Sequence, residues 1–328
     1  MTIGLMTIFS KRSGGNIYKQ QVVNALSGTF RVEHVSFQAE YFKARYSKAL
    51  ESLIRLFFFK GKKDLWIRDF YSTIALNKKR VQGKNLCLVF HIDFSGFRLI
   101  PRIILPAIEK LFFYRQLKKT DAIVVISQYW KDYFLNRGYK NVYKIYCGFN
   151  LEDFNISEKE VLEFKKKYKL EGKPVLYLGN CQKPKGANDA YMAVKDLDVH
   201  FVTSGKQTVK IPALNLDVDY REYLKLLKSS TLAITMSKFK EGWNMTAHEA
   251  MLLKTPVIGS GLGGMKELLD GGKQIICADF KDLKNKVEYL LNNAEAREKM
   301  GQEGYSFARD FTAERFKKEW NDLVNKII

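Results

Sequence analysis

A chain of 328 residues exceeds the usual size of a single hydrophobic core, so two domains are expected. Hydrophobic residues at 46% and aromatics at 13% exclude a disordered or low-complexity chain, and no internal repeat is present. The formal net charge of +20 is unevenly spread: residues 1–148 hold 26 Lys+Arg against 9 Asp+Glu, and residues 149–328 hold 29 against 26.

In chain order, short β-branched runs alternate with longer helical patterns, which is the signature of parallel sheets in α/β layers. Ile3–Phe9 has no basic segment ahead of a long apolar run and reads as a first strand rather than a signal peptide. A helix is expected over Gly14–Gly28. Strands follow at Arg31–Ser36, Leu86–His91, Ala122–Ser127 and Val142–Tyr146. The stretch Gly148-Phe-Asn-Leu-Glu-Asp-Phe154 then separates two complete α/β patterns. Beyond it, strands are expected at Pro174–Gly179, Val199–Ser204, Thr231–Met236, Pro256–Ser260 and Gln274–Ala278. Helices are expected around Lys185–Lys195, Tyr220–Ser229, Met245–Lys254, Gly264–Leu269, Phe280–Glu298 and Thr312–Ile328. Two Rossmann-like domains follow, and in open sheets of this kind ligands sit beyond the carboxyl ends of the strands.

Cys87, Cys147, Cys181 and Cys277 are far apart and form no C-x-x-C pair, so neither a zinc site nor a disulfide framework is suggested and reduced cytoplasmic thiols are expected. The longest apolar runs, such as Leu53–Phe59 broken by Arg55, fall short of the roughly 20 residues that span a bilayer. The basic excess of the first half suits nucleic acid, an anionic membrane face or an anionic substrate. No zinc finger, RNA-recognition signature or basic heptad supports nucleic acid. Two stretches, Ala49–Lys63 and Phe97–Tyr114, combine Phe, Leu and Ile with Lys and Arg. Each has enough apolar residues for a core helix, and each also suits a helix lying on an anionic membrane.

The chemistry concentrates in Lys240-Glu-Gly-Trp-Asn-Met-Thr-Ala-His-Glu-Ala-Met251. A buried strand ends near Met236, a polar loop follows, and a helix starts near Met245 with Asn244 as its N-cap. A helix N-terminus offers free N–H groups to a diphosphate, worth about 0.3–1 kcal/mol from the dipole. Glu241 and Glu249 flank that terminus and could accept hydrogen bonds from paired sugar hydroxyls. Equally, Glu249 could merely complement the helix dipole while Glu241 is solvated. His91, in Val89-Phe-His-Ile-Asp93, ends a strand and could be a core residue or a site residue. His248, one position before Glu249, is expected to point elsewhere. His34 and His200 carry no signal.

The run Glu241-x7-Glu249-Ala-Met251, Thr255-Pro-Val-Ile258 and Gly263-Gly-Met-Lys-Glu-Leu268 resembles the donor-site region of retaining GT-B glycosyltransferases of family 4. The resemblance extends to Asp121–Ser127, Tyr146–Phe154, Leu178-Gly179 through Lys185-Gly186, and Ser13-Gly14-Gly15. It implies an α/β GT-B fold, two Rossmann-like domains facing across a cleft. An N-terminal acceptor-side domain would span 1–149 and a donor domain 150–311, with a C-terminal helix 312–328 packing back on the first. It further implies that Glu249 binds the ribose, that Glu241 holds the transferred sugar, and that Trp243, Asn244, Met245 and Thr246 line sugar and phosphates. Lys185 would neutralise the leaving diphosphate, and His91 would stand beside the sugar. Gly14 and Gly15 would let their loop approach the donor, unless they serve only a tight turn. Asp93 is a candidate for acceptor contact.

One position departs from the family. Asn180 stands in the donor loop where an arginine is usual, and it cannot supply the arginine's charge to a phosphate. Lys183 and Lys185 are expected to share that role.

The implied reaction moves a sugar, with retention, from a nucleoside diphosphate donor (a UDP-sugar is the expectation) to an acceptor hydroxyl on a lipid-linked or cell-surface glycan. No metal and no cofactor is expected. Glu241 is either the nucleophile of a double displacement or a sugar-binding residue, the leaving phosphate then taking the acceptor's proton on the same face. A sugar-nucleotide epimerase or phosphorylase of the same architecture is the alternative enzyme, and a basic membrane- or nucleic-acid-binding module the alternative of another class. The enzyme is expected to be cytoplasmic, with peripheral contact to an anionic membrane.

Overall fold

The structure, a computed structural model, describes residues 1–7, 14–37, 39–42, 44–95 and 99–328. Ser13, Phe9 and Phe97 of the motifs above lie outside them. Residues Met1–Ile92, Arg98–Gly148 and Ala313–Ile328 form one compact unit; Asp93–Phe97 and Phe149–Thr312 form a second.

The first unit carries six parallel strands, β1 (Thr2–Thr7), β2 (Arg31–Ser36), β3 (Gly61–Arg68), β4 (Val81–Val89), β5 (Ala122–Val125) and β6 (Val142–Lys144), in the order β2-β1-β3-β4-β5-β6. Leu86-Cys-Leu-Val89 and Ala122-Ile-Val-Val125 are buried on both faces, as strands sandwiched between helix layers require. Strand β3 is absent from the sequence expectation. Its first half, Gly-Lys-Lys-Asp, alternates half-exposed and exposed, and only Leu65-Trp-Ile-Arg68 is buried, so no continuous apolar run announces it. Helix Gly14–Ser27 buries Tyr18, Val22, Ala25 and Leu26, a stripe at helical spacing. The last helix, Ala313–Ile327, buries Phe316, Trp320, Leu323 and Val324 with the same spacing and packs on the first. The Tyr18 hydroxyl ties this joint: it donates to the Ile145 carbonyl at 2.8 Å and accepts from Trp320 Nε1 at 3.3 Å.

The second unit holds β7 (Val175–Asn180), β8 (His200–Ser204), β9 (Leu214–Leu216), β10 (Leu232–Thr235), β11 (Val257–Gly259) and β12 (Ile275–Ile276), all parallel, in the order β12-β11-β10-β7-β8-β9. The three-residue β9 lacks a sequence signal. The expected helix Phe280–Glu298 is two helices, Leu283–Asn292 and Ala294–Ala308. The chain breaks at Asn293, whose backbone is extended and whose side chain accepts from Ala296 N, starting a new helix in place of continuing the old one. All four cysteines are buried, and none is in a disulfide.

Strand order reverses between β7 and β10. Connections from these neighbours leave in opposite directions, which opens a crevice at their carboxyl ends. The segments that follow β7 and β10 are Asn180–Gly186 and Met236–Asn244.

Candidate functional site

That crevice is a small pocket lined by Gly179, Asn180 and Lys185 from the β7 side, Thr235 and Ser237 from the β10 side, and Asn244 and Thr246. A larger, more open hollow around Leu170, His200 and Leu214 lies at the opposite, amino-terminal end of β8 and β9, where no motif residue falls.

Two glycines set the walls. Gly186 adopts φ +73°, and a Cβ there would lie 2.1 Å from the Met236 carbonyl. Lys238 N also donates to Pro184 O at 2.8 Å, so the Lys183–Lys185 turn is clamped onto the loop after β10. Gly263, at φ +69°, would place a Cβ 2.5 Å from the Glu241 carbonyl. Glu241 N donates to Leu262 O and Gly264 N to Glu241 O, a backbone bridge that fixes Glu241. Replacing Gly186 with alanine is expected to cost about 2–3 kcal/mol of stability through the left-handed backbone and the clash together. Urea denaturation checks this; a change within a few tenths of a kcal/mol would mean that the clamp is not rigid.

Clamping brings Lys185 Nζ to 2.7 Å from Glu241 Oε1. The same oxygen accepts from Ser237 Oγ at 2.5 Å. Glu241 is buried and Lys185 half-buried, so their attraction is stronger than that of a surface pair. Lys183 is exposed at the start of the turn.

Glu249 lies in helix Met245–Leu252, whose Asn244 N-cap sits at φ +81° and accepts from Ala247 N at 2.9 Å. The Glu249 carboxylate is buried and takes a hydroxyl on each oxygen: Tyr220 on Oε1 and Tyr223 on Oε2, both at 3.1 Å. Burial raises its pKa from the ordinary 4.5 to about 7, against the lowering pull of the two tyrosines. Tyr223 also accepts from Thr246 Oγ1 at 3.2 Å. Burial pushes both tyrosines above their usual range.

Asn180 Oδ1 accepts from Ser204 Oγ at 3.0 Å, and Ser204 in turn bonds the Tyr177 hydroxyl at 2.7 Å. Asn180 thus faces the pocket as part of a neutral hydroxyl chain. Thr246 and Met245 are half-buried at the helix start.

Trp243 differs from expectation. Its side chain is 1% exposed, and Nε1 donates to His248 Nδ1 at 2.9 Å. His248 contacts Ala308 O at 3.0 Å through Nε2 and stacks on Phe149 with centroids 4.2 Å apart. Burial lowers the His248 pKa to about 3, so it stays neutral. Trp243 and His248 are core residues, and only the backbone of Trp243 can serve a ligand. The large apolar ring finds more contact inward than over a polar pocket.

In the first unit, Gly15 is explained by packing, since a Cβ would lie 2.9 Å from the Phe90 ring. Gly14 is exposed at the helix start, and His91 is exposed beyond β4. Asp93 clusters with the second unit: Oδ2 accepts from Lys240 N at 2.7 Å and Oδ1 from Ser95 N at 2.8 Å. No group of three or more His, Cys, Asp or Glu side chains with metal-binding geometry occurs among the described residues.

Tyr220, Tyr223 and Ser237 were missed by sequence reasoning. The tyrosines sit three apart on a helix whose apolar stripe reads as core; Ser237 was within reach, since it directly follows the β10 carboxyl end.

Residues 158–307 match the family described as glycosyl transferases group 1. An uncharacterized glycosyltransferase of Methanocaldococcus jannaschii is 28% identical over 223 residues, covering 63% of this chain and 60% of that protein. A trehalose synthase of Pyrococcus horikoshii is 30% identical over 121 residues, 36% of this chain and 29% of its own. The chain therefore spans less than two thirds of the length of these relatives. Among solved structures, sucrose-phosphate synthase from Thermosynechococcus elongatus superposes with a TM-score of 0.80 at 17% identity, covering 99% of this chain and 98% of that one. Anabaena HepE, in complex with UDP and glucose, gives 0.74 at 14% identity, covering 99% and 100%. The two six-stranded parallel sheets are those of the GT-B fold, and residues 158–307 of the second unit are similar to the glycosyl transferases group 1.

Proposed function

We propose that the protein is a retaining glycosyltransferase that takes a sugar from a nucleoside diphosphate donor to an acceptor hydroxyl. The observation that carries this reading is the meeting of Lys185 and Glu241 at the switch point of the second sheet, beside the N-terminus of helix Met245–Leu252. A diphosphate placed there meets one ammonium, with Lys183 nearby, and the free N–H groups of the helix start. Asn180 adds no charge, so the lysines carry the role that an arginine has elsewhere in the family. Glu249 takes the ribose hydroxyls, with Tyr220 and Tyr223 holding its carboxylate in place. A uridine donor follows the UDP-bound HepE, whose fold the chain shares.

Glu241 is read as the sugar-holding residue. Its Oε1 already accepts from an ammonium and a hydroxyl, which lowers its power as a nucleophile. Departure of the diphosphate and attack by the acceptor then share one face. Glu241→Gln is expected to retain activity within about a hundredfold, whereas loss of a covalent nucleophile costs more than about 10⁴-fold.

Gly14 is read as letting its loop approach the donor, His91 as standing beside the sugar, and Asp93 as an acceptor contact, while Gly15 serves packing against Phe90. The excess of basic residues over 1–148 supports an acceptor presented on an anionic surface, such as a lipid-linked glycan. A thermal-shift series with uridine, guanosine and adenosine diphosphates tests the donor reading. UDP is expected to stabilise the chain, by about 2.7 kcal/mol at one hundred times its Kd. Absence of any shift with all three sinks the proposal.

A further inference from the structure

Helix Arg45–Phe58 is built the wrong way round for a helix that only closes a core. Leu53 and Leu56 pack with Met6, Phe37 and Trp66, as expected of its inner face. Yet Leu50, Ile54, Phe57 and Phe58 are exposed, at the i, i+4, i+7, i+8 spacing that makes one continuous stripe. Meanwhile Glu51, a charged residue, is buried.

The position of Glu51 accounts for part of the surface. Its carboxylate accepts from Glu40 N at 2.7 Å, Phe42 N at 3.0 Å and Tyr41 N at 3.2 Å. Arg55 adds a bond to Glu40 at 2.7 Å. The chain before the helix is thereby folded against it and presents Tyr41, 81% exposed, and Phe42, 55% exposed. Six large apolar side chains thus face outward from one element and the segment tied to it, where a soluble monomer tolerates only scattered ones.

Cations surround them. Lys48 and Lys60 are exposed near the two ends of the helix, and the Arg80 guanidinium lies 5.2 Å from the Phe58 ring centre while bonding the Phe58 carbonyl. Ile104, Leu111 and Phe112, on helix Leu99–Ile108 and the π-helical turn Glu109–Phe113, are exposed as well. Residues Glu109–Phe113 and helix Arg45–Phe58 both pack on the short helix Phe70–Ile74. None of the described helices is long and apolar enough to cross a membrane.

We propose that the exposed face of helix Arg45–Phe58, with Tyr41 and Phe42, is a docking surface for an anionic lipid bilayer. Apolar side chains would enter the headgroup boundary while the flanking cations meet lipid phosphates. Charge decides between occupants. A second copy of the chain would bring another +20 against the first, whereas an anionic bilayer is complementary. The inference deepens the reading of a surface-presented acceptor and takes its functional meaning from it.

The test is sedimentation of the full chain with phosphatidylglycerol vesicles and with phosphatidylcholine vesicles, at low salt and at about 1 M salt, where screening reaches about 3 Å. Binding to phosphatidylglycerol, weakened by salt, is expected. The exposed double variant Ile54→Ser, Phe57→Ser should lose about tenfold in vesicle affinity or more. The UDP thermal shift of that variant should equal the parent's, which separates this surface from the donor site. No binding to phosphatidylglycerol at low salt overturns the proposal while leaving the donor reading standing. So does equal binding by the double variant, which would mean diffuse charge alone. A dimer detected by light scattering and abolished by the double variant would reassign the face to self-association, and capture of an acidic protein in place of vesicles would reassign it to that partner.

Discussion

Lys185→Ala is expected to lower turnover by about 10²- to 10³-fold, the scale observed when one preorganised donor to a developing anion is removed. The effect has two sources. The diphosphate loses the cation that meets its charge as the glycosidic bond breaks. Glu241 also loses its partner at 2.7 Å and keeps only Ser237 among the two groups on Oε1. A buried carboxylate left without its ammonium is costly and moves. Lys183→Ala provides the comparison. Lys183 is exposed, so water and salt screen its contribution to about 1 kcal/mol or less, a change within about fivefold. Steady-state rates and donor KM for the two variants check the division of labour. If Lys185→Ala keeps donor affinity and turnover, neither lysine replaces the missing arginine, and Asn180 with its Ser204–Tyr177 hydroxyl chain has to be reconsidered.

The second half of the chain was the more legible one. Its strands β7, β8, β10 and β11 are short apolar runs closed by polar or glycine residues, and local pattern alone locates them. Gly263 and Gly186 stood out as motif residues, and geometry supplies their reason: each lies at positive φ with a carbonyl where a Cβ would go. What the pattern could not reveal is side-chain direction. Trp243 and Thr246 lie in one motif, yet the ring turns into the core and the hydroxyl stays at the pocket. Tyr220 and Tyr223 read as core stripe because hydrophobic periodicity ignores the hydroxyl at the tip of the ring, and that hydroxyl meets Glu249. In the first unit the amphipathic stretch Ala49–Lys63 was ambiguous between core and surface. Helix Arg45–Phe58 serves both, with one apolar face inward and one outward, and its C-terminal remainder starts strand β3 instead of extending the helix.

Glu249→Gln is expected to weaken donor binding by about 10- to 100-fold, since one or two charge-assisted bonds to ribose hydroxyls, about 1.5–3 kcal/mol each, become neutral ones. Its more particular consequence is in the pH dependence. Burial raises the folded-state pKa from 4.5 to about 7, so between these values the folded protein holds a proton that the unfolded chain has released. The contribution to stability is complete below pH 4.5, declines as pH rises, and is gone above about pH 7. Glutamine carries no such proton. Denaturation curves from pH 5 to pH 8 should therefore lose this decline in the variant, and a variant with the parent's slope would place the titration on another group. Donor binding runs the opposite way. Only the ionised carboxylate accepts on both oxygens, and Tyr220 and Tyr223 already draw on them, so affinity in the parent should fall as pH drops below about 7. In Glu249→Gln it should be weak and flat across the same range. Titration calorimetry with UDP at three pH values checks both limbs, because a ribose ligand and a merely structural helix-terminus glutamate share the stability slope but only the former ties it to the donor.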